Sequence, residues 1–428
     1  NRLIRYVDYP GERICKNTEF SVNGNILDAY DNDVFPFHRE FCVQPNKKAG
    51  YNRMMGQQEE YTGKTNANGV RGDSQENVKV TNGWQTAKSS QSEMELWIPL
   101  LFWFARDVRL SIISVAIPHG QRYLKIQLAN ADDLLQHFGT NSNDDAPASN
   151  PVPVPDISVC ELYVNNIFVN PEIHSIIINR IGFSLIRVFR TQSYQADKSS
   201  DEILLSQIKW PIETIYTGAR PQTNISKSNV DMVNNWHKYS VQTKNTHNSG
   251  KMSTNAYHWA AFGADPATAD NYTASLTRVD GKATGINFAT ALGVAGATVL
   301  SVTQINTVLV ANGYKALSGT FINAAAPTNA EVVAATPNGS APVEYFTCQR
   351  TLDTLGIKAH GIEIYKAFPT GFYNAYLPWQ LGADKIQTPE DCGKFMLPFN
   401  LYPGTYQPSG HINVSRAREF YVNYTSSS

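Results

Sequence analysis

The chain has 428 residues, and 36 Lys+Arg against 37 Asp+Glu leave a net charge of −1. That balance excludes a protein-wide basic footprint for nucleic acid, and the length suits about two or three domains. Apolar residues are 42% and charged residues only 17%, below the ~25% usual in soluble domains. Cores can be large, and a surface so poor in charge implies cover by something else, further copies of the chain included.

The dominant hydrophobic period is two, which sets one face of a strand on a core and the other toward solvent or a neighbour. Tyr9-Pro-Gly-Glu12 reads as a turn. Asn23-Gly24 predicts a hairpin, because both residues tolerate positive φ. Residues 57–92, rich in Gly, Asn, Gln and Ser, predict a long insertion between strands. The run WIPLLFWF at 97–104 is apolar but is followed by Arg106, Asp107 and Arg109. It is far short of the ~20 residues that span a bilayer. Residues 110–117 predict a deeply buried strand, Pro118-His-Gly120 a turn, and 123–128 an alternating strand with Leu124, Ile126 and Leu128 on one face.

Acidic residues at 132 and 133 suit the first turn of a short helix over 132–138. Prolines 151, 153 and 155 in the stretch 141–156 favour an extended linker between two β domains. Residues 183–188 predict a second buried strand. Ser199-Ser200 are plausible caps for a helix over 201–208. Residues 226–342, polar and then rich in Ala, Thr and Asn, predict a second long insertion. Within it the uncharged run 283–314 is too diluted by Asn, Thr and Ser for a membrane segment, and 302–311 reads equally as helix or strand. Ile362 and Ile364 flank Glu363 as in a strand. Pro369-Thr-Gly371 and Pro408-Ser-Gly410 are turns, and Phe420, Val422 and Tyr424 mark a last strand.

Side-chain chemistry is sparse. The cysteines at 15, 42, 160, 348 and 392 are odd in number and widely spaced, without C-x-x-C, and read as reduced, buried thiols. His237, beside Trp236 and Tyr239, is the most suggestive histidine. A metal pair with His247 or His258 is conceivable, and a hydrogen-bonded histidine is the ordinary alternative. Glu59/Glu60, Glu93/Glu95 and Asp132/Asp133 are carboxylate pairs that default to solvated faces. Lys47-Lys48 and Arg187/Arg190 are too sparse for a nucleic-acid groove. Sequons at Asn224, Asn271, Asn338, Asn413 and Asn423 read as chance occurrences. No hydrolase, phosphate-loop or dinucleotide motif occurs, so neither an enzyme nor a cofactor is expected.

The C-terminal run Pro408, Ser409, Gly410, His411, Ile412, Asn413, Val414, Ser415 and Arg416 resembles the P-S-G-x-x-N-[FV]-S-R signature of the major capsid proteins of nucleocytoplasmic large DNA viruses. Tyr9-Pro-Gly-Glu-Arg13, Phe20-Ser-Val-Asn-Gly-Asn25, Leu96-Trp-Ile98 and Ser114-Val-Ala-Ile-Pro118 resemble the African swine fever virus-like branch. So do Glu161-Leu-Tyr-Val-Asn-Asn-Ile-Phe-Val169, Pro171-Glu-Ile-His174, Lys209-Trp-Pro-Ile-Glu213, Trp236-His-Lys238 and Ala359-His-Gly-Ile362. They run in the family's order over nearly the whole chain, and the departures look like those of an amoebal, faustovirus-like relative.

The resemblance implies an all-β double jelly roll, two eight-stranded antiparallel sandwiches with long loops and few short helices. Residues 1–150 would be the later part of the first jelly roll, whose early strands lie upstream in the family. Residues 151–428 would be the second, with the insertion at 226–342. The implied role is structural: homotrimeric, pseudo-hexagonal capsomers tiling an icosahedral virion shell, assembled in the host cytoplasm. Implied partners are further copies, minor capsid and penton proteins, and an inner membrane or protein layer, with no nucleic acid. The alternative is a lectin-like β-sandwich for host attachment, with Trp236, Tyr239, Tyr257 and Trp259 stacking on sugars. A glycosidase has no residue constellation behind it.

Overall fold

The computed structural model describes residues 3–62, 78–81, 87–113, 117, 120–138, 156–180, 186–225, 235–247, 259–260, 271–273, 277–278, 299–301, 307, 311 and 343–426. The linker at 141–155 and most of 57–92 and 226–342 lie outside them. Two compact units form: residues 1–241 with 348–428, and residues 242–347.

In the first unit the chain runs β1 (Leu3–Tyr6), α1 (Pro10–Ile14), β2 (Cys15–Val22), β3 (Asn25–Asp31), α2 (Val34–Cys42) and α3 (Pro45–Met54). Strands β4 (Glu59–Thr62) and β5 (Val78–Thr81) pair with each other. Then follow α4 (Trp103–Arg106), β6 (Arg122–Leu128), α5 (Ala131–Leu134) and β7 (Leu135–Phe138). Strand β7 returns antiparallel to β1. The expected hairpin forms: β2 and β3 pair antiparallel around Asn23 (φ 53°) and Gly24 (φ 78°). Strand β6 adds to the other edge of β2, giving the order β3-β2-β6. Thr18 and Phe20 of β2 point inward. Phe20 meets Tyr30, Val34, Phe35, Leu101, Phe102 and Trp103 in one core. Ile98 and Leu100–Phe104 of the WIPLLFWF run thus fill the core while Trp97 stays exposed, and among the described residues no helix is long and apolar enough to cross a membrane.

Further along lie α6 (Pro171–Arg180), β8 (Ser200–Leu204), β9 (Pro211–Ile212), β10 (Thr214–Thr217) and α7 (Gln222–Ile225). After the second unit come β17 (Leu352–Ala359), β18 (Ile362–Pro369), a π-helical turn at Phe372–Tyr376, α8 (Leu377–Leu381), β19 (Phe395–Pro398), β20 (Ile412–Asn413) and β21 (Phe420–Ser426). A four-stranded antiparallel sheet has the order β18-β17-β21-β8. The pairs β10-β19 and β9-β20 flank it in sequence. Ile212, Leu355, Ile357, Tyr373, Phe395, Leu397, Val414, Phe420 and Tyr424 form its core.

Strand β11 (Val241–His247), which leads into the second unit, pairs with β16 (Val343–Gln349), which leads out of it; within that unit β12 (Trp259–Ala260) pairs with β14 (Thr277–Arg278) and β13 (Asn271–Thr273) with β15 (Val299–Ser301). Of residues 302–311, only 307 and 311 are described, both helical.

Four sequence expectations change. Residues 201–208 form strand β8 and then irregular chain, not a helix. Ile203 packs on the second core while Glu202 reaches Lys358 at 2.6 Å, so the two-residue period prevails over the serine caps. The helix over 132–138 stops at Leu134 because residues 135–138 pair with β1. Residues 110–113 are no strand: the Asp107 carboxylate accepts from Arg109 N at 2.9 Å and folds 108–110 into a single 3-10 turn. Residues 186–190 are irregular as well. Phe189 N donates to the Asp28 side chain at 2.9 Å rather than to a neighbouring strand, and Val188 and Phe189 pack on the first core. The Tyr9-Pro-Gly-Glu12 turn opens α1, with Tyr9 left-handed and Pro10 in the first helical turn.

Candidate functional site

The signature loop is built from backbone locks. Ser409 Oγ accepts from Tyr402 N at 2.9 Å and donates to Tyr402 O at 3.3 Å, while Leu401 N donates to Ser409 O. Gly410 has φ 135°, a conformation that L side chains rarely adopt. Asn413 Oδ1 accepts from Ser415 N at 3.0 Å, a local Asx turn. These turns aim Val414 and Phe420 into the second core. Pro408 and Arg416 are exposed. The loop therefore seats the last strand, and the Ser409 and Asn413 side chains are spent on the local backbone.

A buried ion network lies elsewhere. Arg39 on α2 has Nε 3.0 Å from Glu12 on α1 and Nη1 3.9 Å from Glu40. Lys394, just before β19, has Nζ 3.7 Å from Glu40 and 3.5 Å from Asp391. Its side chain is 0% exposed. The Arg39 guanidinium also lies 3.6 Å from the Tyr9 ring centre. Burial pushes Glu12 up, against the pull of Arg39. Burial also pushes Glu40 up, but Lys394 and Arg39 outweigh it and hold Glu40 below its ordinary value. Burial draws Lys394 down, against Glu40 and Asp391. Two cations thus serve three carboxylates, joining both N-terminal helices to the loop before β19. Asn374 Nδ2 braces that loop through the carbonyls of Asp391 and Lys394. A Cβ at Gly393 would stand 2.0 Å from Tyr239 O, so only glycine admits the approach.

His237 belongs to this network. It is buried, and its Nδ1 lies 3.0 Å from Arg39 Nη2. Burial, then Arg39 and Lys394, hold it well below its ordinary value, so it is a neutral acceptor. The side chains of His247 and residue 258 lie outside the described residues, and with them the metal-pair idea. Trp236 and Tyr239 are buried as well: Trp236 Nε1 donates to Asp8 O at 2.6 Å. Neither can stack on a sugar, which removes half of the lectin reading's aromatic surface; the side chains of Tyr257 and Trp259 lie outside the described residues. Asn224 is buried, donating to Lys238 O and Ser240 O, so its sequon faces no solvent. Glu59, Glu93 and Glu95 line an open cleft with Arg53, a solvated face as expected.

The cysteines depart from expectation. Cys15 is buried, but Cys160 and Cys348 are exposed. Cys348, Asp391 and Cys392 bring their ligand-type atoms within 4.8 Å of one another. Asp391 is already engaged: Oδ2 accepts from Tyr239 N at 2.7 Å and Oδ1 from Gly393 N at 3.0 Å.

The surface also carries an exposed apolar segment. Ile157, Val159, Leu162, Tyr163, Val164, Ile167 and Phe168 are all exposed along one irregular segment, Phe168 to 93%. Sequence reading missed this exposure and the ion network alike. The first had a signal in the stretch 162–169, apolar apart from Asn165-Asn166; the second had none, since Lys394 lies 358 residues from its neighbour Pro36.

A buried ion network together with an exposed apolar segment fits a structural β protein that associates with further copies. Family descriptions agree. "Large eukaryotic DNA virus major capsid protein" matches residues 194–428, and "Major capsid protein N-terminus" matches residues 5–170. The hexon protein p72 of African swine fever virus is 30% identical over 99% of this chain and 67% of its own length. The major capsid protein of Phaeocystis pouchetii virus is 21% identical over 52% of this chain and 42% of its own. The solved faustovirus major capsid protein superposes with a TM-score of 0.65 at 28% identity, covering 100% of this chain and 70% of that one. The chain belongs to the major capsid protein family of nucleocytoplasmic large DNA viruses. Its fold is the double jelly roll, and it is a structural component of the virion capsid, not an enzyme.

Proposed function

We propose that the chain forms homotrimeric, pseudo-hexagonal capsomers that tile an icosahedral shell. Residues 1–150 contribute the later part of the first jelly roll and 151–428 the second, with 226–342 as an insertion on the capsomer. Three copies of two similar barrels give six around a threefold axis, joined by a closing heterologous contact. The supporting observation is the exposed apolar segment at 157–168 on a chain with 17% charged residues. Permanent interfaces of this kind bury thousands of Å² and are rather apolar, and a contiguous apolar patch on a soluble surface marks an interaction site. Residues 408–416 act as a fixed turn that seats the last strand and bind no ligand. Minor capsid and penton proteins contact the trimer lattice, an inner membrane or protein layer lies beneath it, and assembly takes place in the host cytoplasm.

The test is the solution mass of the natively extracted, full-length protein by light scattering after gel filtration. A trimer stable to dilution supports the reading, and a well-behaved monomer refutes it. Phe168→Asp should leave the subunit's thermal midpoint unchanged, because an exposed side chain loses no packing. It should nevertheless shift the protein from trimer toward monomer.

A further inference from the structure

Cys348 is the penultimate residue of β16 and Cys392 sits in the loop before β19, 44 residues away in sequence. Their Sγ atoms stand 2.7 Å apart, against ~2.05 Å in a covalent bond. Both belong to the first unit, and Cys348 is open to solvent. A metal is the other ligand that two thiols beside a carboxylate would suggest. Structural zinc takes four ligands, whereas Asp391 is held by two backbone N–H groups and faces Lys394 at 3.5 Å. Only the two sulfurs remain.

We propose that Cys348 and Cys392 are a modification site: a dithiol that a small-molecule disulfide such as oxidised glutathione converts to an intrachain disulfide. The two thiols are unequal. The hydrogen bond from Cys392 holds Cys348 down to about 6 against burial, with the Ser240 hydroxyl assisting, while the same contact pushes Cys392 up. Arg350 draws Cys392 down and Asp391 pushes both thiols up, while Lys238 carries a positive charge near Cys348. Cys348 is therefore the attacking thiolate at neutral pH and Cys392 the resolving thiol. Cys348 Sγ attacks one sulfur of the glutathione disulfide, forming a mixed disulfide and expelling one glutathione thiolate, which takes up a proton. Cys392 loses its proton to solvent and attacks Cys348 Sγ, expelling the second glutathione. Two protein thiols are oxidised and one glutathione disulfide is reduced to two thiols. The product staples the loop that carries Asp391 and Lys394, and so secures the buried network covalently.

The full chain is equilibrated in glutathione buffers of graded ratio, quenched in acid, alkylated and mapped by mass spectrometry without reduction. The expected result is a 348–392 peptide pair lighter by two hydrogens, while the other three cysteines stay alkylated. The oxidised protein should melt several degrees above the reduced one, and Cys348→Ser and Cys392→Ser should each abolish that difference. Alkylation of both thiols at every ratio overturns the proposal. So does pairing of either cysteine with another chain, or protection from alkylation that a chelator reverses, which would mark a metal site.

Discussion

Arg39→Met should be among the most damaging single substitutions in the chain. At 3.0 Å and an effective dielectric constant of about 20, the Arg39–Glu12 attraction is roughly 5 kcal/mol. At 3.9 Å the Arg39–Glu40 term is roughly 4 kcal/mol. Desolvation of the buried ions offsets much of both, so the net worth of the network is small while the cost of breaking it is not. Removing Arg39 strands Glu12, whose side chain is fully buried, and leaves Glu40 to Lys394 alone. A buried pair broken on one side typically loses about 3–5 kcal/mol. Glu12→Gln in the same chain removes the stranded charge. The double variant should therefore recover about 1–3 kcal/mol relative to the sum of the two single variants. Urea midpoints of the four proteins, read by fluorescence, measure the coupling. Strict additivity would mean that Arg39 and Glu12 do not act as a pair, and would sink the account of the network.

Asp28 offers a pH signature. It is fully buried, and burial pushes its carboxyl up to about 6 against the Phe189 N–H and Arg190. A carboxyl that binds its proton more tightly folded than unfolded makes stability fall as pH rises from about 4 to about 6, by roughly 2–3 kcal/mol. Asp28→Asn keeps an acceptor for Phe189 N and should flatten that fall, gaining stability at pH 7 relative to pH 4.5; an equal difference at both pH values would refute this. Two glycines separate conformation from contact. Gly24, at φ 78° with open space around its missing Cβ, should lose only about 1 kcal/mol as Ala. Gly120, at φ 105° and with Asn23 Oδ1 1.5 Å from an added Cβ, should lose clearly more in the same melting assay.

Much of the fold was legible because its signals are local. Asn23-Gly24 dictates a two-residue turn through backbone sterics alone, and alternation in β21 places Phe420 and Tyr424 inward without reference to partners, whereas in β6 only Leu124 packs on a core and Ile126 and Leu128 stay exposed. The errors fall where distant residues decide. Residues 201–208 carry serine caps, a local helix signal, but β21 offers a ladder and the second core offers a pocket for Ile203. Of the strand expected over 183–188, the described residues 186–188 are irregular, and the Asp28 carboxylate, more than a hundred and fifty residues away, takes the adjacent Phe189 N–H.

The site was less legible for the same reason carried further. In this chain the exposed segment at 157–168 is apolar and the ion network is buried, so a search for exposed polar clusters finds neither. His237 drew notice through its aromatic neighbours, and those neighbours are what bury it. Glu12, Arg39, Lys394 and the two cysteines carried no pattern, because their partners lie far away in sequence. Their convergence has a mechanical consequence. The network and the Cys348–Cys392 contact both converge on residues 391–394, a loop held by the neighbouring Asn374 and admitted only by the bare backbone of Gly393. A shell subunit must hold its shape under load from its neighbours, and this loop joins helices α1 and α2 to strand β19.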